Sequence, residues 1–367
     1  MDQTSKPLHV LLIWVVVALG WHAPVWAETV EDLYSAEVLV AGQDGESRSV
    51  GMQQALILVL GKVSGAALAT DEELQARLGD AGRYARTFGY HETDETLQTQ
   101  EGETIPASRM RVSFDPRGVT LLARELDLPI WGANRPSVLV WLIEEERGKR
   151  QVVASGGTGP VHEALEAGGE ERGLPLMLPL MDIDDRTEIT DTELWGLFAE
   201  PIVEASARYN PGAVLAGRYY RVASNQLAGR WMMIFRGERT SIDVRAADET
   251  ELVNKGIDLA VRELAARYAI RLGDASELPA RLVLAGVNSG DDYAQAINYL
   301  QKITAVRSAK PIGVEGDQLT LHLTIDGTLA QLKEVIALDN RMQPELERSA
   351  LEPVGSRSLY YQWLSLP

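Results

Sequence analysis

Cysteine is absent from the 367 residues, so disulfides, thiolate metal ligands and a lipid-bearing cysteine are all excluded. Phenylalanine is rare, at four residues, which leaves the core to aliphatic side chains and a few Trp and Tyr. Histidine numbers only five, and it is the commonest proton-transfer residue and metal ligand. A basic excess is also missing: 35 Lys and Arg stand against 53 Asp and Glu, a net charge of −18. That balance disfavours nucleic acid and anionic membrane surfaces as general partners. The one basic cluster, Arg147-Gly148-Lys149-Arg150, follows Glu144-Glu145-Glu146 and reads as a solvated strand-to-strand turn. Nor is there a long apolar run. The uninterrupted stretch Val10 to Leu19 has half the roughly 20 residues a spanning helix needs.

That short run has another reading. With Lys6 before it and Gly20, Pro24 and Val25-Trp26-Ala27 after it, Met1 to Ala27 has the charged, apolar and small-residue regions of an export signal cleaved after Ala27. The mature chain of about 340 residues is then free in its compartment, with no stable membrane insertion, and long enough for two or three cores without disulfides. At 45% apolar and 24% charged residues the composition is that of ordinary globular protein.

Periodicity divides the mature chain into three αβ units. In residues 28–134, alternation predicts a strand over Leu33 to Val40. Helical spacing of Val50, Ala55, Leu56, Val59, Leu60 and Val63 predicts a helix stopped at Ser64-Gly65. A second helix, Asp71 to Leu78, is expected with Thr70 or Asp71 as cap. Strands over Arg83 to Tyr90 and Arg109 to Phe114 follow, then a helix over Val119 to Leu126. Residues 135–274 open with the apolar run Ser137 to Ile143, suited to a strand covered on both faces. A short helix over Gly159 to Gly169 and a short strand leading into a loop near Pro179 come next. One long helix, Thr192 to Tyr209, is expected, kinked at Pro201. Three strands and a helix from Glu249 to Ile270, ended by Gly273, complete the unit. In residues 279–367 the order βαββαβ, with the last strand over Leu359 to Leu364, is the ferredoxin-like arrangement. The fold class expected is therefore α+β: several small mixed strand-helix domains, the last ferredoxin-like.

The search for chemistry returns few residues. His9 and His22 leave with the signal, and His91, His162 and His322 fall in three different units, too far apart in sequence to suggest a zinc site. Asp182, Asp184 and Asp185 are the candidate metal ligands, since carboxylates this closely spaced can hold a hard cation or divide acid and base roles. The alternative is turn capping. Ser155-Gly156-Gly157-Thr158-Gly159-Pro160 has neither the ending of a P-loop nor the spacing of a dinucleotide fingerprint, and reads as a mobile loop. Ser64 lacks a nucleophile elbow and reads as a helix C-terminus. Trp141, Trp195 and Trp231 read as core, with stacking against a ligand as the alternative. At the chain end Tyr360, Tyr361 and Trp363 are the candidate partner-binding residues, because an aromatic strand there either completes its own sheet or adds to another protein's.

Several phrases together resemble a family of exported proteobacterial proteins, a domain of unknown function (DUF2066). They are Leu33-Tyr34-Ser35-Ala36-Glu37-Val38, Gly61-Lys62-Val63-Ser64-Gly65, Pro136 to Leu142, Gly173 to Asp182 and Trp195 to Tyr209. The resemblance spans Glu31 to Ile270 and departs from the family at Val40-Ala41-Gly42-Gln43, where an Asp-Gln pair is expected. It implies a Gram-negative source and a periplasmic address, and it implies no activity, cofactor or catalytic residue. A non-enzymatic periplasmic binding or assembly protein with an envelope protein partner is the function expected. The alternatives are a small-ligand or glycan-binding protein using the middle unit's cleft and a tryptophan, and a metal-dependent hydrolase built on Asp182, Asp184 and Asp185.

Overall fold

The computed structural model describes residues 27–68, 72–98, 102–222, 226–271, 279–339, 341–346, 348, 353 and 356–365. Met1 to Trp26, which carry the expected signal, lie outside the described residues, as do Thr70, Asp71 and Gly273. The chain is α+β, with helices packed on several small sheets.

The first stretch contains β1 (Ala27–Thr29), β2 (Ser35–Val40), α1 (Gly45–Ser64), α2 (Glu72–Leu78), β3 (Ala85–Gln98), β4 (Thr104–Phe114), α3 (Pro116–Glu125), β5 (Pro129–Ile130) and β6 (Asn134–Pro136). The antiparallel sheet β2-β4-β3 carries α1 against it. Asp44 caps α1 by accepting from the amides of Glu46 and Ser47, and the stripe Ala55, Leu56, Val59, Leu60 and Val63 is wholly buried. Gly65 stops the helix at φ +67°; a Cβ there would lie 2.4 Å from that of Ala265, so glycine is needed for conformation and for space. The β3–β4 ribbon runs further than the sequence suggests. Its polar residues Glu92 to Gln98 still pair, with both faces largely in water, so no apolar alternation marks them.

The middle stretch contains β7 (Val138–Glu146), β8 (Lys149–Val152), α4 (Pro160–Arg172), β9 (Leu176–Met177), α5 (Ile183–Glu188), α6 (Asp191–Gly196), α7 (Ala199–Ser206), β10 (Ala213–Arg221), β11 (Leu227–Phe235), β12 (Glu238–Ala246), α8 (Glu249–Tyr268) and β13 (Ile270–Arg271). The sheet order is β12-β11-β10-β7-β8, with β9 beside β7; β7 and β10 are parallel. Helices α4 and α8 cover one face, and α5, α6 and α7 cover part of the other. Val138 to Ile143 is therefore buried on both sides, as its continuous apolar run predicts. The long helix expected over Thr192 to Tyr209 is instead two. Leu197 adopts φ +52° after α6, Phe198 caps α7, and Pro201 sits in the first turn of α7, where its missing N–H costs nothing.

The last stretch contains β14 (Ala280–Ala285), α9 (Gly290–Lys302), β15 (Val306–Glu315), β16 (Gln318–Ile325), α10 (Leu329–Ile336), β17 (Met342–Pro344) and β18 (Ser358–Trp363), in the sheet order β15-β16-β14-β18-β17. The first four strands stand in the ferredoxin-like order, but an added strand reverses the direction of the last of them. After α10 the chain lays down β17 at the edge and turns back, so β18 enters between β17 and β14 and runs parallel to β14.

Candidate functional site

The acidic segment folds as the cap and first turn of α5. Asp182 is the N-cap and accepts from the Asp185 amide at 3.1 Å. Arg208, just past α7, reaches back to grip Asp182 with both terminal nitrogens, at 2.7 and 2.9 Å, and Asp185 at 3.0 Å. Asp185 has no exposed surface and also accepts from the Met181 amide and the Tyr209 hydroxyl. These hydrogen bonds from Arg208 hold the Asp182 carboxyl down at about 2, while burial followed by the bond to Asp185 pushes the Tyr209 phenol up to about 12. Asp184 points outward, 77% exposed and 3.8 Å from Arg208. The candidate metal ligands Asp182, Asp184 and Asp185 are thus placed as a helix cap, an outward carboxylate and a buried acceptor. Two of the three carboxylates spend their lone pairs on an arginine, a tyrosine and backbone amides, and they tie α5 to α7. Among the described residues no group of three His, Asp or Glu side chains is placed to hold a metal ion.

The histidines do not converge. His91 lies on β3 opposite Arg109, His322 on β16 opposite Arg281 and Lys310, and the His162 ring is hydrogen-bonded to the Ala154 carbonyl at 2.9 Å. That contact closes the Ser155 to Pro160 loop over the start of α4, with Gly157 set against the imidazole. Ser64 Oγ donates to the Leu60 carbonyl at 2.7 Å inside the helix end, as its reading required.

Strand β18 is interior to its sheet. Leu359, Tyr361 and Trp363 point into the core at 2, 5 and 2% exposure, while Tyr360 lies on the other face under the Arg348 guanidinium. Both edges of the strand are taken, by β14 and β17. Strand addition needs a free edge, and β18, which carries the candidate partner-binding residues Tyr360, Tyr361 and Trp363, has both edges paired within its own sheet.

Of the three tryptophans, Trp141 and Trp231 are core, with indole N–H groups donating to Ser206 Oγ and the Leu252 carbonyl. Trp195 is different. It is half-buried at the rim of α6, with the guanidinium of Arg150 at 4.6 Å from its ring and that of Arg218 at 5.6 Å. Arg218 also donates to the Trp195 carbonyl at 2.6 Å. Beside it, where the short helices stop, the sheet face is open: Arg218, Tyr220, Ala228, Arg230, Asp243 and Arg245 line a trough of about 450 Å³. Nothing in the sequence spacing marked this grouping, because it joins three strands and a helix only through cross-strand register.

Residues 27–132 match the model of a family described as a domain of unknown function (DUF8605). The resemblance to DUF2066 is corrected by this match, which is to a different family and stops at the start of the middle stretch. Of the phrases that carried the resemblance beyond residue 132, Pro136 to Leu142 is mostly a strand buried on both faces and Trp195 to Tyr209 is mostly amphipathic helix, patterns that packing imposes on unrelated chains, while Gly173 to Asp182 is a helix cap, a two-residue strand and a loop. No curated protein matches the chain.

Sequence reasoning also missed Arg135, noted only as part of a unit boundary. Its guanidinium has no exposed surface and donates to five carbonyls, those of Lys62, Trp131, Gly132, Arg172 and Gly173. Nearby, Lys62 Nζ donates to the Ser35 carbonyl at 3.0 Å, and burial lowers its pKa. Arg135 thus joins the end of α1 to the end of α4, and Lys62 ties α1 to the start of β2.

Proposed function

We propose that this protein is a non-enzymatic binding or assembly module of the Gram-negative envelope, exported to the periplasm and freed by cleavage after Ala27. Cleavage there would leave Glu28 and Thr29 to pair with Arg135 and Asn134. The observation that carries the reading is the outer surface of the short-helix layer. Leu180, Ile183, Phe198 and Val203 are 57, 82, 53 and 46% exposed there, in a segment otherwise rich in carboxylates. Large apolar side chains left in water on one layer are what a protein interface requires. The bonds that Arg208 makes to Asp182 and to the buried Asp185 fix the layer's shape.

Two measurements test this. Fractionation of a Gram-negative host, with N-terminal sequencing of the released protein, should find a periplasmic chain starting at Glu28. Affinity capture from periplasmic extract should return a reproducible envelope partner that Ile183→Asp and Phe198→Asp both lose while keeping the wild-type melting temperature. A cytoplasmic chain with an intact leader, or a partner that both variants retain, would overturn the proposal.

A further inference from the structure

The trough on the open corner of the middle sheet carries an inference that rests on the small-ligand alternative and stands or falls apart from the assembly reading. Cross-strand register sets its geometry. Arg218 of β10 lies directly opposite Arg230 of β11, and Arg230 opposite Asp243 of β12; one step along, Tyr220 lies opposite Ala228, and Ala228 opposite Arg245. All six residues face the side that α5, α6 and α7 leave uncovered. Asp243 is bound by Arg230 through two bonds of 2.7 Å. Among the described residues no carboxylate lies within ion-pair distance of Arg218 or Arg245. Three guanidinium groups therefore line the trough beside a single carboxylate, which only Arg230 pairs with, on a chain with net charge −18.

Like charges directly opposite each other destabilise a sheet. At the Arg218–Arg230 pair the repulsion is offset by Asp243, which binds Arg230 and also feels the Arg218 charge, and Arg218 is held from above by its bond to the Trp195 carbonyl and the indole beside it. A preset guanidinium fork is suited to a carboxylate or phosphate oxygen pair. Ala228 is the small residue between Tyr220 and Arg245, so the floor of the trough is low. The Tyr220 ring, 43% exposed, forms one wall. We propose that this trough binds a small organic anion, its phosphate or carboxylate held by Arg218 and Arg245 and its flat apolar body lying on Ala228 against the Tyr220 ring.

The test is calorimetric titration of the purified protein with phenyl phosphate, benzoate, inorganic phosphate and phenol. At least one of phenyl phosphate and benzoate should saturate at one site, about tenfold more tightly than inorganic phosphate, and phenol should not bind. The tighter of the two names the head group. Arg245→Gln, a change at an exposed side chain, and Arg218→Gln should each weaken that binding about tenfold. Tyr220→Ala should bring it down to the level of inorganic phosphate, with the melting temperature unchanged. If neither aryl anion saturates, or if Arg245→Gln and Arg218→Gln bind as the wild type does, the proposal is wrong.

Discussion

A guanidinium with no solvent contact remains charged only if its surroundings replace the water it has lost. Around Arg135 they do so with carbonyls rather than a carboxylate. Those of Lys62 and of Arg172 and Gly173 lie at the C-terminal ends of α1 and α4, where helix dipoles concentrate negative charge. The Trp131 ring stacks at 4.1 Å. Burial pushes the Arg135 pKa down to about 9, which still leaves the group protonated at neutral pH. Arg135→Met would keep most of the volume and strand five acceptors, so urea unfolding should show a loss of about 3–5 kcal/mol. An unchanged midpoint would mean that water replaces the side chain. The Asp182 carboxyl offers a test with a sign. Its folded pKa, about 2, lies below the roughly 3.9 of an unfolded aspartate, so its contribution is complete above about pH 4 and disappears as pH falls towards 2. Asp182→Asn keeps a competent cap; its melting temperature should fall below wild type at pH 6 and converge with it near pH 2. A pH-independent gap would show that packing, rather than the Arg208 ion pair, is what the carboxylate supplies. The acidic cluster was visible in the sequence. Its partner was not, because Arg208 comes near only through the packing of α5 on α7.

Elements with one buried face were legible, and those without one were not. The α1 stripe and the β16 alternation each state their period plainly, and the Val138 to Ile143 strand, buried on both faces, is marked instead by its unbroken apolar run. Between Thr192 and Tyr209 the period continues through a break, because Gly196 lets the Phe198 ring fold back where a Cβ would sit 2.6 Å from it. Local propensity thus reads as one helix what tertiary packing makes two. The polar ribbon β3–β4 is legible at its buried end alone. For β18 the sequence leaves two outcomes open, since aromatic alternation is the same for a strand that docks and one that is enclosed. Deletion of Leu359 to Pro367 separates them. Leu359, Tyr361 and Trp363 are each 5% exposed or less, and losing side chains of that size costs roughly 2–5 kcal/mol apiece. Together that approaches the whole stability of an ordinary domain, about 5–15 kcal/mol. The truncated chain should lose its near-UV circular dichroism from this unit and become protease-sensitive from β14 onward. A truncated chain that melts like the wild type would return β18 to the role of a docking strand.

The cores meet at two joints of different chemistry. Between the first stretch and the middle one, α1 packs on α4, Gly65 abuts Ala265 and Trp131, and Arg135 is satisfied entirely by buried carbonyls. Between the middle stretch and the last, Leu338 enters the middle core and Ile270 enters the last one. Beyond that, the contact is ionic. Glu334 on α10 takes both Arg236 and Arg267, while Asp339 accepts from Asn134 of the first stretch and from Tyr299 of its own. The arginines at Glu334 are 44 and 48% exposed, so salt reaches them, whereas it cannot reach Arg135. Charges in contact with solvent lose most of their attraction at 1 M salt, where the Debye length is about 3 Å. Exposed pairs contribute up to about 1 kcal/mol each, and 1 kcal/mol moves the midpoint of a unit this small by roughly 4–8 °C. Scanning calorimetry in 1 M NaCl should therefore lower the melting of the last stretch by several degrees and leave the first two stretches together. Glu334→Gln at low salt should give the same separation, and the variant should then be indifferent to added salt. If salt instead lowers all three together, or parts the first stretch from the second, the assignment of a buried joint and an ionic one is wrong, and the three cores share one cooperative interface.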